Sequence, residues 1–407
     1  MRLQQTVLRY AAAALVVVGM LAGCSSNPPT GPATPSGAST SLAAPPRVAT
    51  GAPPATACTV PAGTASGTSA RPTGLVAFAI YEKGKVPFPA RVFSDALVSG
   101  VDVDIQWDNL QPEPNTFDWS ALDCVFAQAD AHHKFVVLAV IPGFRSPSWV
   151  LQLPGVQTQS FKFAYFNQKI EPRALPLPWN EAYLHAWFTF LGALAQRYGN
   201  NPEFRVIEVA GPTSVSTEMS LPDRKTGDTA LPASANGSDI AEWISLGYTP
   251  DKYVNAWTET FDQHHQLFPH QYLALSLYPG LPIGNNGAEE PRARPDTVNR
   301  VIAAGMRYKQ QFALQENGIK GGERQPSDRE YAAVRNHCGE IVTGLQNSKS
   351  ATNDPAYQGP LNRALDHVTA AGVDFWEVYV SDVENPSMTD VLKRASSQLP
   401  AHGQCKH

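Results

Sequence analysis

The stretch VDVDIQWDNLQPEPNTFDWSALDCVFAQADAHHKFVVLAVI, residues 101–141, joins two short apolar runs through a segment with helical spacing. The runs at 101–107 and 135–141 have the length of strands. Between them, residues 119–133 carry apolar side chains three to four positions apart, which predicts an amphipathic helix. A strand, a helix and a second strand in this order are typical of a parallel α/β sheet or barrel.

The same alternation continues along the chain. Apolar runs lie at 74–80, 101–107, 135–141, 204–210, 272–278, 312–317, 340–346 and 373–380. Segments with helical spacing lie at 119–133, 181–199, 251–268, 297–311, 329–338 and 361–372. Eight strands with interleaved helices predict a (β/α)8 TIM barrel over residues 73–407, with an open doubly wound sheet as the alternative. No Gly-x-Gly-x-x-Gly follows the first run and no GxxxxGK[ST] occurs, so no nucleotide cofactor is expected.

The N-terminus has the features of an export signal. Arg2 and Arg9 precede a short apolar run at 11–21, and the run ends in Leu-Ala-Gly-Cys at Cys24. The run is too short to span a bilayer, which favours a secretory signal over a transmembrane helix. The ending resembles a bacterial lipobox, so we predict that residues 1–24 are a lipoprotein signal and that Cys24 is lipidated, anchoring an extracytoplasmic protein to the cell membrane. The alternative is a signal peptide with an incidental cysteine.

Residues 25–72 are rich in Pro, Ala, Gly, Ser and Thr and carry few charged or aromatic side chains. Such a composition cannot bury enough apolar surface to offset chain entropy, which predicts a disordered, flexible tether. The formal net charge of -5 provides no basic surface for nucleic acid. No protein partner is indicated by these features.

The remaining cysteines are Cys58, Cys124, Cys338 and Cys405. An even number in an exported chain predicts two disulfides. Three pairings are possible, and we favour Cys58 with Cys124 and Cys338 with Cys405. No pair has CxxC spacing, and the two adjacent histidine pairs direct their rings apart, so no metal site is predicted.

The reactive groups of a TIM barrel lie at the C-terminal ends of its strands and in the loops that follow. The carboxylates in those positions are Glu82, Asp108, Glu218, Glu316 and Asp382, with Glu208 and Glu377 late in their strands.

Strand alternation sorts these carboxylates, because only alternate side chains line the barrel. In the run 312–317, Glu316 shares its face with the bulky residues and is expected to face the helices. In the run 373–380, Glu377 is expected to face inward. Glu208 is expected inward as well, supporting the site from below.

Trp107, the turn Pro112-Glu113-Pro114 and the sequence Phe117-Asp118-Trp119 lie between the second and third runs. This segment resembles the early barrel of clan A glycoside hydrolases, notably the family 42 and family 5 types. The resemblance implies hydrolysis by two carboxylates, an acid/base glutamate after the fourth strand, usually directly after an asparagine, and a nucleophile at the end of the seventh. The sequence departs from both, because Glu218 follows Ala210 by eight residues and the seventh run ends in Gln346.

The sequence therefore predicts a glycosidase acting on a cell-envelope or environmental glycan, with galactose or arabinose as candidate sugars. Glu218, in the loop GPTSVSTEMSLP at 211–222, is the expected acid and must fold back over the barrel mouth. Glu377 is the expected nucleophile and Glu316 a further catalytic candidate. The expected carbohydrate contacts are Trp107, Trp149, Tyr278, Gln315, Asn317, Gln346 and Tyr379. The alternative is an inactive barrel that binds surface carbohydrate.

Overall fold

A computed structural model describes residues 58, 69–163, 171–224, 238–322, 328–399 and 405. All of them belong to one compact unit formed by Ala57–Gly227 and Ser234–His407. The predicted signal peptide, the lipidation site Cys24 and most of the tether lie outside the described residues. Among the helices in the described ranges, none is long and apolar enough to cross a membrane.

The described chain forms a closed parallel barrel and one separate hairpin. The strands are β1 Gly74–Ile80, β2 Gly100–Gln106, β3 Phe135–Ile141, β4 Thr158–Phe163, β5 Glu171–Pro176, β6 Phe204–Glu208, β7 Tyr272–Leu277, β8 Phe312–Ile319, β9 Val342–Asn347 and β10 Phe375–Tyr379. The barrel order is β1-β10-β9-β8-β7-β6-β3-β2. Its eight strands coincide with the eight predicted runs, which confirms the (β/α)8 fold over the open sheet. The antiparallel pair β4 and β5 was not predicted.

Helices cover the outside of the barrel. They are α1 Ala90–Ser94, α2 Trp107–Leu110, α3 Ser120–His132, α4 Ser148–Leu151, α5 Glu181–Tyr198, α6 Asp239–Ser245, α7 Pro250–Leu267, α8 Ala293–Met306, α9 Asp328–Asn336, α10 Pro355–Gln358, α11 Leu361–Ala371, α12 Val380–Val383 and α13 Thr389–Gln398. All six predicted helices are present. Polar caps fix some of their starts: Asn180 accepts a hydrogen bond from the Tyr183 amide, and Thr249 from that of Lys252.

Strand alternation divides the core into an outer shell against the helices and an inner plug. Val76, Val137, Val206 and Phe375 belong to the inner cluster, with Ala274, Ala313, Val342 and Phe135. Gly344 makes room for the Phe375 ring, because a Cβ there would lie 2.2 Å from the ring's Cζ. The N-terminal half of the barrel is therefore filled with apolar side chains, as a TIM barrel requires.

Two disulfides tie Cys58 and Cys405 to the barrel. Cys58 bonds to Cys124 and Cys338 to Cys405, which is the favoured pairing. Contacts with the barrel extend back at least to Ser69, whose amide donates to the carbonyl of His270 at 2.7 Å.

Candidate active site

A polar layer lies directly above the apolar plug. Asp102, Glu208, Gln315 and Glu377 come from β2, β6, β8 and β10, which are alternate strands of the barrel. Alternate strands supply one layer of four inward side chains, and branched apolar residues usually fill it. Here one oxygen from each of the three carboxyl groups lies within 4.8 Å of the other two. The four side chains are 0 to 2 % exposed, so this layer is closed to solvent.

Neutral donors surround two of these carboxyl groups. The hydroxyls of Thr217 and Ser276 donate to Oε2 of Glu208, the latter at 3.0 Å. The side-chain amides of Gln315 and Gln346 donate to Oε2 of Glu377 at 2.6 and 3.1 Å. Each glutamate is therefore held in one orientation through its Oε2.

Burial dominates the ionisation of the layer. It raises the pKa of Asp102 well above the ordinary value, and the neighbouring Glu377 carboxylate raises it further. Burial also raises the pKa of Glu377, with the negative charge of Glu208 as the next cause. The pKa of Glu208 is raised by burial but lowered in part by its hydroxyl donors. The layer therefore resists carrying three negative charges at once.

The loop 211–222 folds back over the C-terminal mouth of the barrel. The Phe144 amide donates to the carbonyl of Ser214 at 2.9 Å, and the Met219 amide donates to the carbonyl of Ser276 at 3.1 Å. Gly143 permits the first contact: its φ is 63°, and a Cβ there would lie 2.4 Å from the Ser214 oxygen. The loop is thus fastened on both sides of Glu218, as the sequence required.

Two carboxyl groups at the mouth of the barrel are partly exposed to solvent. Glu218 accepts a hydrogen bond from Ser216 at 3.1 Å, and burial followed by the charge of Glu208 brings its pKa to about 7. Asp104 points inward from β2, two residues beyond Asp102, and is half-buried. Its pKa is raised by burial and then by the charges of Glu208 and Glu218. The charge of Glu218 therefore acts on Asp104.

The structure changes the roles expected of the other carboxylates. Glu377 does face inward, but its side chain is 0 % exposed. A substrate cannot reach it, so Glu377 does not fit the role of nucleophile. Gln315 does not fit the role of sugar contact either, because it is buried and its amide donates a hydrogen bond to Glu377. Glu316 aligns with Leu277 and Leu345 of the outer shell, as predicted, and is 5 % exposed. Burial, followed by the charge of Glu218, raises the pKa of Glu316 to about 8.

The expected aromatic platforms divide into two groups. Trp107 is a wrong prediction, because it begins α2 rather than ending a strand, is 0 % exposed and packs edge-on against Trp187 outside the barrel. Trp149 packs on Trp107 and donates its indole N–H to the carbonyl of Gln111. Tyr278, by contrast, is 36 % exposed after β7. Its pKa is raised by burial and then by the charges of Asp223 and Glu218, which places the ring near the mouth.

The remaining predicted contacts are less accessible than Tyr278. Gln346 is 7 % exposed and its amide is engaged by Glu377. Tyr379 is half-buried, packs edge-to-face on Phe78 and donates to the carbonyl of Ser348. Asn317 is half-buried near the end of β8.

Sequence reasoning missed Asp102 and Asp104. The signal was present in the alternation of Val101, Val103 and Ile105 with these two aspartates, because the three apolar side chains belong to the outer shell. Applying the alternation rule to the second strand would have turned both aspartates inward.

No protein-family model and no curated protein matches the chain. Among solved structures, the β-galactosidase of the Antarctic haloarchaeon Halorubrum lacusprofundi is 13% identical with a TM-score of 0.45, covering 75% of this chain and 52% of its own. The chain thus spans about half the length of that enzyme. Xylanase 10B of Thermotoga petrophila is 10% identical with a TM-score of 0.45, covering 78% and 86%.

Endo-glycoceramidase II of Rhodococcus sp. is 13% identical with a TM-score of 0.44, covering 77% of this chain and 75% of its own. All three are glycosidases. At such identities and TM-scores the likeness carries no argument about activity. The protein is a (β/α)8 barrel on the strength of its own strand order, and its chemistry has to be argued from its own residues.

Proposed function

We propose that this protein is a glycoside hydrolase whose reacting groups lie at the barrel mouth. The observation that carries the proposal is the position of Glu218: a fastened loop holds it half-buried over the C-terminal ends of the strands, where its charge acts on Asp104. Cleavage of a glycosidic bond needs two carboxyl groups that can both reach it.

Glu218 is the group that transfers the proton. A pKa of about 7 lets it protonate the leaving oxygen and recover the proton from water near neutral pH. Asp104 is the second carboxyl group. Its pKa is raised, so it must first lose its proton to act beside the carbon that becomes positively charged. The exposed ring of Tyr278 provides a surface on which a sugar can stack.

The decisive experiment assays the full chain, purified in detergent, on aryl glycosides and on wall glycans containing galactose or arabinose. Glu218→Gln and Asp104→Asn should each lower kcat/KM by about 10²-fold or more. Glu82→Gln is the matched control, since Glu82 follows β1 on the same side of the barrel with a side chain 67% exposed. Unchanged turnover in Glu218→Gln would remove Glu218 from the mechanism.

The pH profile tests the role of Glu218 separately. A general acid must hold its proton, so kcat/KM should decline as pH rises through about 7. That limb should be absent from the residual activity of Glu218→Gln. An identical limb in the variant would assign it to another group.

We further propose that the enzyme acts outside the cytoplasm, anchored through Cys24, on a neutral glycan of the cell envelope or its surroundings. Two disulfides are typical of an oxidising compartment and support this location. Cys24→Ala should move the protein from the membrane fraction to the soluble fraction. Retention of the variant in the membrane would contradict the anchor.

The second candidate is an anchored barrel that binds carbohydrate without cleaving it. It is favoured by one observation: Glu377 is sealed from solvent, and β9 carries Gln346 where a nucleophile would be expected. Calorimetric binding of a glycan that the protein does not turn over would support this candidate against the hydrolase.

A further inference from the structure

The polar layer beneath the mouth contains oxygens that find no donor among the described residues once the carboxyl groups are ionised, although a protonated Asp102 can donate to Glu377. With the carboxyl groups ionised, both oxygens of Asp102, Oε1 of Glu208, Oε1 of Glu377 and Oε1 of Gln315 accept no hydrogen bond within the described residues. All five are buried. Buried oxygens without a partner are costly, so a convergent set of them points to something that binds there.

The donors around the layer act on the opposite side of each glutamate. Oε2 of Glu208 and Oε2 of Glu377 receive the hydroxyl and amide hydrogen bonds, and Oε1 of each remains free. Carboxylates that ligate a metal are commonly held by hydrogen bonds in this way, which fixes the free oxygen in position.

Gln315 provides evidence independent of the acidic residues. It is neutral and 0 % exposed, and its Nε2 lies 2.6 Å from Glu377 while its Oε1 has no partner. The two atoms belong to one amide, so the free oxygen lies at the edge of the carboxyl cluster. A carbonyl oxygen of this kind is a ligand that Ca²⁺ and Mg²⁺ accept, and it would complete a set of four oxygen-bearing side chains.

The charges around the layer also favour a bound cation. Among the described residues, the charged groups that raise the pKa of Asp102 and Glu377 are other carboxylates, and the groups that lower the pKa of Glu208 are neutral hydrogen-bond donors. Buried carboxylates are ordinarily paired with a cationic side chain or a metal. None of these groups is a partner of the first kind.

We propose that Asp102, Glu208, Glu377 and Gln315 form a binding site for one oxygen-preferring divalent cation. Ca²⁺ fits the separations, because oxygens on opposite sides of a calcium ion, about 2.4 Å from it, lie about 4.8 Å apart, and Mg²⁺ fits within the same limit. The carboxyl oxygens lie within that limit. The site uses other side chains than Glu218 and Asp104, although the charge of Glu208 acts on both of them, and it goes beyond the proposed hydrolase because it does not depend on turnover.

The test uses the full chain after chelation and removal of the chelator. Millimolar CaCl₂ should raise the melting temperature by at least about 2 °C, and metal analysis after dialysis should recover close to one ion per chain. MgCl₂ and MnCl₂ are tested in parallel. Tb³⁺, a Ca²⁺ substitute, should bind with luminescence that Ca²⁺ displaces.

Variants locate the ion. Asp102→Asn and Glu377→Gln should each abolish the thermal shift and the Tb³⁺ signal, while Glu316→Gln should retain both. Glu316 is the matched control because it is a buried carboxyl group on the helix side of its strand. An equal shift in all three variants would place the cation elsewhere.

If Asp102→Asn or Glu377→Gln fails to fold, the unaltered protein still decides the question. Absence of a bound ion, together with no thermal shift from Ca²⁺, Mg²⁺ or Mn²⁺, would overturn the proposal. Shared protons would then hold the carboxyl groups. None of these readouts involves a glycan, so failure of the site and failure of the hydrolase are distinguishable.

Discussion

Replacing Glu316 by glutamine should stabilise the protein by an amount that grows with pH. The carboxyl group is 5 % exposed, and Oε2 has no hydrogen-bond partner in the described structure. Burial, with the charge of Glu218 as the next cause, raises its pKa from 4.5 to about 8. Between these values the unfolded chain has lost the proton that the folded chain keeps, so stability present below pH 4.5 is lost as pH rises through about 8.

The size of the effect follows from the two pKa values. Each unit of difference corresponds to about 1.4 kcal/mol, so a gap of about 3.5 units costs the folded protein about 5 kcal/mol above pH 8. Glutamine has the shape of the protonated acid and carries no charge at any pH. The variant should therefore match the unaltered protein near pH 4.5 and exceed its free energy of unfolding by about 3 kcal/mol at pH 7.

Denaturant unfolding followed by circular dichroism, with the disulfides intact, measures this difference at steps from acid to alkaline pH. Groups that do not interact with Glu316 titrate alike in both proteins and cancel in the comparison. Glu218 does interact with Glu316, so Glu218→Gln and the double variant are measured as well to separate its contribution. Glu82→Gln, at an exposed position, is the control and should show a small difference that does not grow with pH. A Glu316→Gln difference that stays constant from pH 4.5 to 8.5 would refute the reasoning.

Two further changes test the packing. Gly344→Ala should destabilise by about 1–3 kcal/mol, because the new Cβ would lie 2.2 Å from the ring of Phe375. Gly192→Ala, in α5, should instead stabilise the protein by up to about 1 kcal/mol, because nothing lies within 4 Å of the added carbon. Melting temperatures of the two glycine variants that shift in the same direction would contradict both expectations. Arg71→Met should cost about 3–5 kcal/mol, since it leaves the buried Asp374 without its two-point ion pair, and an unchanged melting temperature would count against that pair.

The strands and long helices of this fold can be predicted from short stretches of sequence. A short apolar run predicts each strand, and apolar residues three to four positions apart predict each long helix. Both patterns arise because one face of the segment is buried. The alternation in 312–317 was enough to separate the outward Glu316 from the inward Gln315. Local pattern failed at Trp107, where the strand ends one residue early and a short helix carries the ring to the outside.

The sequence by itself therefore determined the barrel, the facing of the carboxylates in the three strands where alternation was applied, and the loop that holds Glu218. Only the tertiary structure decided which inward carboxyl groups meet and which of them solvent can reach. Asp102, Glu208 and Glu377 are scattered through the chain, and barrel closure brings their oxygens within 4.8 Å of one another. Closure of the barrel buries Glu377 completely, whereas Glu218 lies in a loop over the mouth and stays partly exposed. Burial and the charge of Glu208 then raise the pKa of Glu218 to about 7.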